Sequence, residues 1–328
     1  MPDVADAFIR EQLLDRRKRL ASAIVWSREQ TRLRELLSEV DAALARIDGE
    51  TYGICEVCHD TVERARLLAN PLVRYCLDHL TAAERSALER DLEMAASLQL
   101  GLLPSPDTRH HGWEISYAYR PLGPVSGDYC DLIAEESAKP ELFFFVGDVS
   151  GKGVPASMLT AQLHAIFRSL VARHLAVEQL MHQAGRVFCE SSLSPYFATL
   201  VGGRAEAAGL VEISNAGHCP PLVIRPKGVT RIEPSGVPLG ISSDDEYLAE
   251  RLQIEPGEVL VIYTDGLSEA RNAQDEEYGE ERVVKSLLEN IRLGPRSLIQ
   301  ECLDSLKQFL GGAPVADDVT IMAIQRTA

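Results

Sequence analysis

The sequence has no apolar run approaching the roughly 20 residues that a membrane-spanning helix needs, so no transmembrane segment is expected. It also lacks a charged-then-apolar amino-terminal leader, because Met1 to Arg19 is already studded with charge, and a cytoplasmic location is the expectation. Basic residues are in the minority. The 33 Lys and Arg stand against 49 Asp and Glu, a net charge of −16, with no basic stripe to follow a phosphate backbone, so direct nucleic-acid binding is not expected. Cysteine is scarce and odd in number: seven, three of them clustered before residue 80, which argues against a disulfide framework and for a metal site plus scattered core thiols. Between residues 4 and 48 there is neither proline nor glycine, so nothing breaks a helix there.

With 328 residues, 45% hydrophobic and 25% charged, the chain can form one large domain and something smaller. Leu33, Leu36, Leu37, Val40, Leu44 and Ile47 recur at spacings of three and four and predict a helix with an apolar stripe. Leu13, Leu20 and Ile24 continue it upstream, although the pattern weakens from Trp26 to Thr31. The region reads as one long helix rather than a hairpin. A stripe with nothing local to cover it predicts a coiled coil, hence a homodimer through helices; the competing reading lays the helix on a domain of its own chain.

Cys55 and Cys58, then Cys76 and His79, spell C-x2-C, seventeen residues, C-x2-H. Three thiolates and an imidazole at that spacing can close a tetrahedron around one zinc ion, and four protein ligands leave no open position. The role is therefore structural or sensory. His59 is a minor competitor as ligand. Thr81 with Glu84 has capping-box spacing and opens a helix that runs to Leu103, with Leu88, Leu92, Ala95, Leu98 and Leu102 on one stripe and Pro104 ending it. His110 and His111 read as solvated loop.

Beyond Pro106 the pattern becomes rich in strands. Candidates are 113–119, 129–134, 142–148, 197–202, 211–214, 222–225, 259–264 and 319–324, with helices at 155–173, 177–191, 279–290 and 295–310. Helices interrupt the strands only in places, which favours antiparallel sheets flanked by helices, an α+β fold, over alternating βαβ units. The run Phe143-Phe144-Phe145-Val146 ends at Asp148, followed by a glycine turn and a helix start with Pro155 in its first turn. Three further acidic turns abut apolar strands: Gly127-Asp128, Thr264-Asp265-Gly266 and Asp317-Asp318. Carboxylates without thiols or imidazoles suit Mg²⁺ or Mn²⁺ better than zinc. One such turn is ordinary; four invite a shared site.

The segment from Ile47 through Cys76, with its Arg64, Arg66, Asn70 and Pro71, resembles the zinc finger of the DksA/TraR family, departing from its four-cysteine form at His79. Gly123-Pro124-Val125-Ser126-Gly127-Asp128-Tyr129, Gly147 to Gly153, Asn215-Ala216-Gly217-His218, Tyr263-Thr264-Asp265-Gly266 and Asp317-Asp318-Val319-Thr320 resemble, in order and spacing, the PPM phosphatases, and more closely their bacterial SpoIIE/RsbU branch. Leu92 to Pro104, with Gln99, resembles that branch's regulatory linker helix.

The resemblance implies an α-β-β-α antiparallel sandwich at 107–328, preceded by an amino-terminal helix (1–50), a zinc finger (51–80) and a linker helix (81–106). It implies a bacterial, cytoplasmic protein serine/threonine phosphatase with two Mn²⁺ or Mg²⁺ ions and one structural Zn²⁺. Asp148 would bridge the two ions, the Val149 carbonyl would ligate one, Asp265 and Asp317 would complete the coordination of the second ion, and Asp128 would act nearby, directly or through water. Asp317 is preferred to Asp318, and both stay candidates. The implied substrate is a phosphorylated STAS-domain anti-anti-sigma protein in a partner-switching pathway, with a protein partner for the finger and no membrane or nucleic acid. The alternative is a catalytically silent protein docking the transcription machinery through its finger.

Two other patterns carry less. His218-Cys219 through Arg225 spells H-C-x5-R, but Pro220 and Pro221 remove backbone donors that a cysteine-phosphatase loop needs. Gly147 to Gly153 falls one residue short of a P-loop, and Gly153 replaces its Ser or Thr.

Overall fold

The computed structural model describes residues 4–26, 30–49, 51–135, 140–191 and 196–327. The chain divides into two compact units, Met1–Arg90 and Asp91–Ala328.

In the first unit the long helix of the sequence reading is two helices, α1 (Val4–Trp26) and α2 (Gln30–Asp48). Arg10 donates to Asp48 at 3.0 Å and Arg17 to Asp41 at 2.5 Å, so the two run antiparallel as a hairpin. This corrects the expectation of a single helix. The apolar stripe is also covered within the chain: Ile9 and Leu13 of α1 pack with Val40, Ala43 and Leu44 of α2, and with Cys55, Val62, Leu67, Val73 and Cys76 of the finger. The end of the stripe at Val40 and Leu44 is thus buried within the chain, while Leu33, Leu36 and Leu37 are only half-buried. The apolar pattern fades where α1 gives way to α2, and residues 27–29 lie outside the described ones.

The finger carries a short α3 (Arg64–Ala69) and a single 3₁₀ turn at Leu77–His79. α4 (Ala82–Leu102) follows, opened by the expected capping box: Glu84 Oε2 accepts from the Thr81 N–H at 2.9 Å, and Thr81 Oγ1 accepts from the Glu84 N–H at 3.2 Å.

The second unit holds the strands β1 (Asp107–His110), β2 (Trp113–Arg120), β3 (Asp128–Glu135), β4 (Glu141–Val149), β5 (Ala198–Glu206), β6 (Leu210–Ala216), β7 (Leu222–Arg225), β8 (Gly228–Arg231), β9 (Glu250–Gln253), β10 (Val259–Tyr263) and β11 (Val319–Arg326). The helices are α5 (Val154–Val171), α6 (Val177–Ser191), α7 (Asp265–Ser268), α8 (Gly279–Asn290) and α9 (Pro295–Leu310). Two antiparallel sheets form, ordered β1-β2-β11-β10-β7-β8 and β3-β4-β5-β6-β9. The short strands β1, β8 and β9 went unread in the sequence. β1 overturns the solvated-loop reading of the histidine pair: His110 is buried within it, and His111 sits exposed in the turn that follows.

Three apolar layers explain why the strands read as continuous hydrophobic runs. Phe143 and Phe145 of β4 face α5 and α6, alongside Phe167, Leu180 and Met181. Leu142, Phe144 and Val146 point the other way, into the space between the sheets, with Val201, Leu260, Ile262 and Met322. The far face of the second sheet packs Val261, Tyr263 and Ile321 under α8 and α9, against Leu287, Leu298 and Leu303. Alternation along a strand with both faces buried erases the polar half of the pattern. At roughly 1.5–3 kcal/mol for each large apolar side chain buried, these layers are what hold the strand ends in place.

Candidate functional site

The acidic residues come together because β3 and β4 pair in a register that sets Asp128 opposite Asp148, at the end of one sheet. The other sheet brings Asp265, at the start of α7 just after β10, and Asp317 with Asp318, just before β11. Gly266 lets these last two segments close: a Cβ there would fall 1.9 Å from the Asp318 carbonyl oxygen. Gly127 serves the same end, since a Cβ would lie 3.0 Å from the Val149 carbonyl oxygen and 3.2 Å from Asp148 Oδ1.

Crowding of like charges is written in the titration of the group. Burial, then Asp265, Asp317 and Asp318, push the Asp148 carboxyl up to about 7, and Lys152 opposes them. Burial and Asp317 raise Asp265, and burial raises Asp128 well above the carboxylate range, aided by Asp148 and Asp318. Oxygen donors that resist ionising together fit a hard divalent cation, which would offset their mutual repulsion.

A sign follows for stability. An Asp in the unfolded chain titrates near 3.8, whereas folded Asp148 titrates near 7. Between those values the folded chain holds the extra proton, so metal-free stability falls as pH rises from about 4 to about 7. Chelator-treated protein is therefore expected to melt at a higher temperature at pH 5.5 than at pH 7.5. Saturating Mn²⁺ should reverse that order, as read by scanning fluorimetry.

The candidates occupy different environments. Asp128 is buried, and its Oδ2 accepts from Thr264 Oγ1 at 3.0 Å and Thr320 Oγ1 at 2.5 Å. Asp318 is bound to backbone: its Oδ1 accepts from the Leu122 N–H at 2.6 Å and its Oδ2 from the Gly127 N–H at 2.9 Å. Asp317 instead meets Lys152 Nζ at 3.0 Å. Val149 is buried, with its N–H donated to the Gly127 carbonyl at 3.1 Å.

Several neighbours had no role in the sequence reading. Thr264 and Thr320 were quoted only as motif letters. His218 is buried, with Nδ1 2.9 Å from Thr199 Oγ1, and Thr199 pairs with Asp148 across β4 and β5. Burial takes its imidazole down to about 4, so it is neutral at working pH. Asn215 holds that turn: its side chain donates to the His218 carbonyl at 3.1 Å and accepts from the His218 N–H at 2.8 Å. Gln99 of α4 is buried as well. Its Nε2 donates to the Ser126 carbonyl at 2.8 Å and to Thr160 Oγ1 of α5 at 3.0 Å, and its Oε1 accepts from the Ser126 N–H at 3.0 Å. That ties the linker helix to the turn before Asp128.

The cysteine-phosphatase pattern dissolves. Its Leu222–Arg225 half is β7, and burial, with Asp265 and Glu269 nearby, pushes the Cys219 thiol up to about 12. The P-loop pattern fares no better, because Gly153 at φ 73° caps α5 with backbone geometry rather than a hydroxyl.

In the first unit, the ligand atoms of Cys55, Cys58, Cys76 and His79 all lie within 4.8 Å of one another, and His59 is outside that set. Burial pushes the Cys55 thiol up, but the N–H groups of Cys58, Cys76 and Val57 outweigh it and bring it down to about 6. A thiol held toward thiolate by backbone donors, beside two more thiols and an imidazole, fits zinc.

The family described as Stage II sporulation protein E (SpoIIE) matches residues 139–327, more than half of the chain. The chain belongs to the SpoIIE family. Its second unit carries a phosphatase domain of the SpoIIE/PP2C type. The prokaryotic DksA/TraR C4-type zinc finger matches residues 50–78, ending one residue before the histidine that stands in for a fourth cysteine.

Protein IcfG of Synechocystis sp. is 27% identical over 274 residues, covering 72% of this chain but only 41% of that protein. The phosphoserine phosphatase RsbU of Bacillus subtilis is 24% identical over 243 residues, covering 73% of this chain and 71% of its own length. The solved SiaA-PP2C domain of Pseudomonas aeruginosa superposes with a TM-score of 0.65 at 18% identity, over 76% of this chain and the whole of that one. The two-sheet α+β fold of SpoIIE-type phosphatases is thus shared. No helix among the described residues is long and apolar enough to cross a membrane.

Proposed function

We propose that the chain is a metal-dependent phosphatase acting on phosphoserine or phosphothreonine of a regulatory protein, in the manner of a partner-switching pathway. The observation that carries this is the meeting of Asp128, Asp148, Asp265 and Asp317 from both sheets at one edge, within a domain of the SpoIIE family. Asp148, Asp265 and Asp317, with the Val149 carbonyl, would hold two Mn²⁺ or Mg²⁺ ions. When bound, such ions supply charge for the phosphate dianion and lower the pKa of a water to hydrolytic use.

The residues do the rest. Asp128, kept in place by two threonine hydroxyls, pairs across from Asp148, and burial raises its carboxyl well above the usual carboxylate range. Asp318 spends both oxygens on backbone N–H groups of the 122–127 loop, whereas Asp317 meets the mobile-ended side chain of Lys152 and the N–H of its own neighbour, which supports Asp317 as the ligand. Neutral His218 buttresses the strand end through Thr199. A STAS-domain anti-anti-sigma protein is the substrate class that the family suggests. The test is hydrolysis of p-nitrophenyl phosphate and of phosphorylated STAS proteins with Mn²⁺ and with chelator. Metal-dependent turnover of both supports the proposal, and silence with metal present refutes it.

A second reading, for the first unit, draws support from the α1–α2 hairpin joined to a DksA/TraR-type finger. The hairpin removes the argument that a lone helix precedes the finger, and it favours this unit as a protein-docking module. It sits beside the phosphatase reading without replacing it.

A further inference from the structure

Next to the acidic cluster lies a cavity of about 230 Å³ that the chemistry above leaves unused. Its walls are apolar: Leu92 of α4, Leu122, Pro124 and Val125 of the loop before β3, and Val154 at the start of α5. Its other side is formed by Lys152, Asp317 and Asp318, so cavity and candidate active site share a wall. Leu122 is 51% exposed and Val154 41% exposed, open apolar surface beside one of the most polar places in the molecule.

We propose that this cavity receives an aliphatic side chain next to the phosphorylated residue of the substrate, so that the domain selects phosphoserine or phosphothreonine with an apolar neighbour. The inference rests on the phosphatase reading and adds to it the recognition of sequence around the phosphate. Continuity is the first argument: Asp317 and its partner Lys152 line both the acidic site and the cavity, so a residue flanking a phosphoryl group held there has the cavity beside it. Size is the second. An apolar cavity of about 150 Å³ can hold benzene, so 230 Å³ takes a leucine side chain.

Charge is the third argument. An acidic neighbour would meet the carboxylate cluster of a chain with net charge −16, and a buried cation would lose its water against leucine and valine walls. The wall is also held in register with the site. Asp318 accepts from the Leu122 and Gly127 N–H groups, binding the apolar loop to the segment that carries Asp317.

The experiment uses the full chain with Mn²⁺ and three substrates. Two are phosphoserine peptides differing only in the residues flanking the phosphoserine, leucine on both sides or glutamate on both sides. The third is p-nitrophenyl phosphate, which has no flanking residue. Wild type is expected to favour the leucine peptide by about tenfold in kcat/KM, the scale of one aliphatic contact. Val154→Thr and Leu122→Gln should each erase most of that preference while leaving kcat/KM for p-nitrophenyl phosphate unchanged. Equal turnover of the two peptides by wild type overturns the docking site, as does a leucine preference that survives both substitutions. Silence toward all three substrates overturns the phosphatase reading and this inference with it.

Discussion

Asp148→Asn is expected to cut Mn²⁺-dependent hydrolysis by more than about 100-fold while the protein melts at the same temperature as wild type or higher. Removing a group that merely supports a metal ligand costs about 10–100-fold, and Asp148 is proposed as a ligand itself. The stability half of the expectation is less usual for a buried position. Burial with Asp265, Asp317 and Asp318 pushes the Asp148 carboxyl up to about 7, so its charge is unwelcome in the metal-free fold. Asparagine keeps the shape and removes that charge. The register with Asp128 on one side and Thr199 on the other depends on backbone pairing, which the substitution leaves alone. Steady-state assay with p-nitrophenyl phosphate and scanning fluorimetry in chelator give the two readouts. Near-wild-type hydrolysis would remove Asp148 from the metal set, and a collapse of stability would show that it serves the fold instead. Asp265→Asn should behave alike, since burial and Asp317 raise its carboxyl in the same way.

What could be read without coordinates depended on how local its physics was. The aromatic strand ending at Asp148 and the cap of Thr81 with Glu84 are set by neighbours in sequence, and both stand in the structure as read. β8 and β9 were invisible because each is four residues long and largely exposed at a sheet edge, so neither carries an apolar pattern. The helical hairpin was misread for a different reason. The stripe on α2 is correct, but that α1 covers part of it is set by contacts between the two helices, and the sequence from Trp26 to Gln30 has no glycine or proline to mark the change.

The site divides the same way. Acidic turns abutting strands could be picked out from sequence, yet which partner each carboxylate meets depends on contacts made across the sheets. Asp318 reaches Leu122 and Gly127 nearly two hundred residues away, and Thr320 reaches Asp128 over a similar span. His218 was legible only as a letter in a motif, because its role runs through Thr199 on another strand.

Cys76→Ser is expected to abolish zinc binding and unfold the first unit. Structural zinc in such fingers is worth about 10–16 kcal/mol at neutral pH, as large as the roughly 5–15 kcal/mol that holds a whole domain together. Here the metal's contribution is not confined to the finger. Cys55 and Cys76 belong to the same buried cluster as Ile9 and Leu13 of α1 and Val40 and Leu44 of α2, so loss of the finger also opens the hairpin's core. Among the described residues the finger's regular structure after α2 amounts to a six-residue helix, a single 3₁₀ turn and one bridge between Ile54 and Thr61, supplemented by hydrogen bonds such as those of Arg46 to the Val73 carbonyl and Arg66 to the Tyr75 carbonyl. Metal analysis should therefore find one zinc per chain in wild type and none in Cys76→Ser. Hydrogen exchange should rise through residues 51–80 and along the faces of α1 and α2 that cover them. His79→Cys supplies the counter-experiment: it restores the four-thiolate form of the finger and should keep both the metal and the slow exchange. If Cys76→Ser retained zinc with unchanged exchange, the ligand set drawn from Cys55, Cys58, Cys76 and His79 would be wrong. If zinc left and exchange stayed slow, the apolar cluster alone would be holding the unit, and the metal's role would be sensory rather than structural.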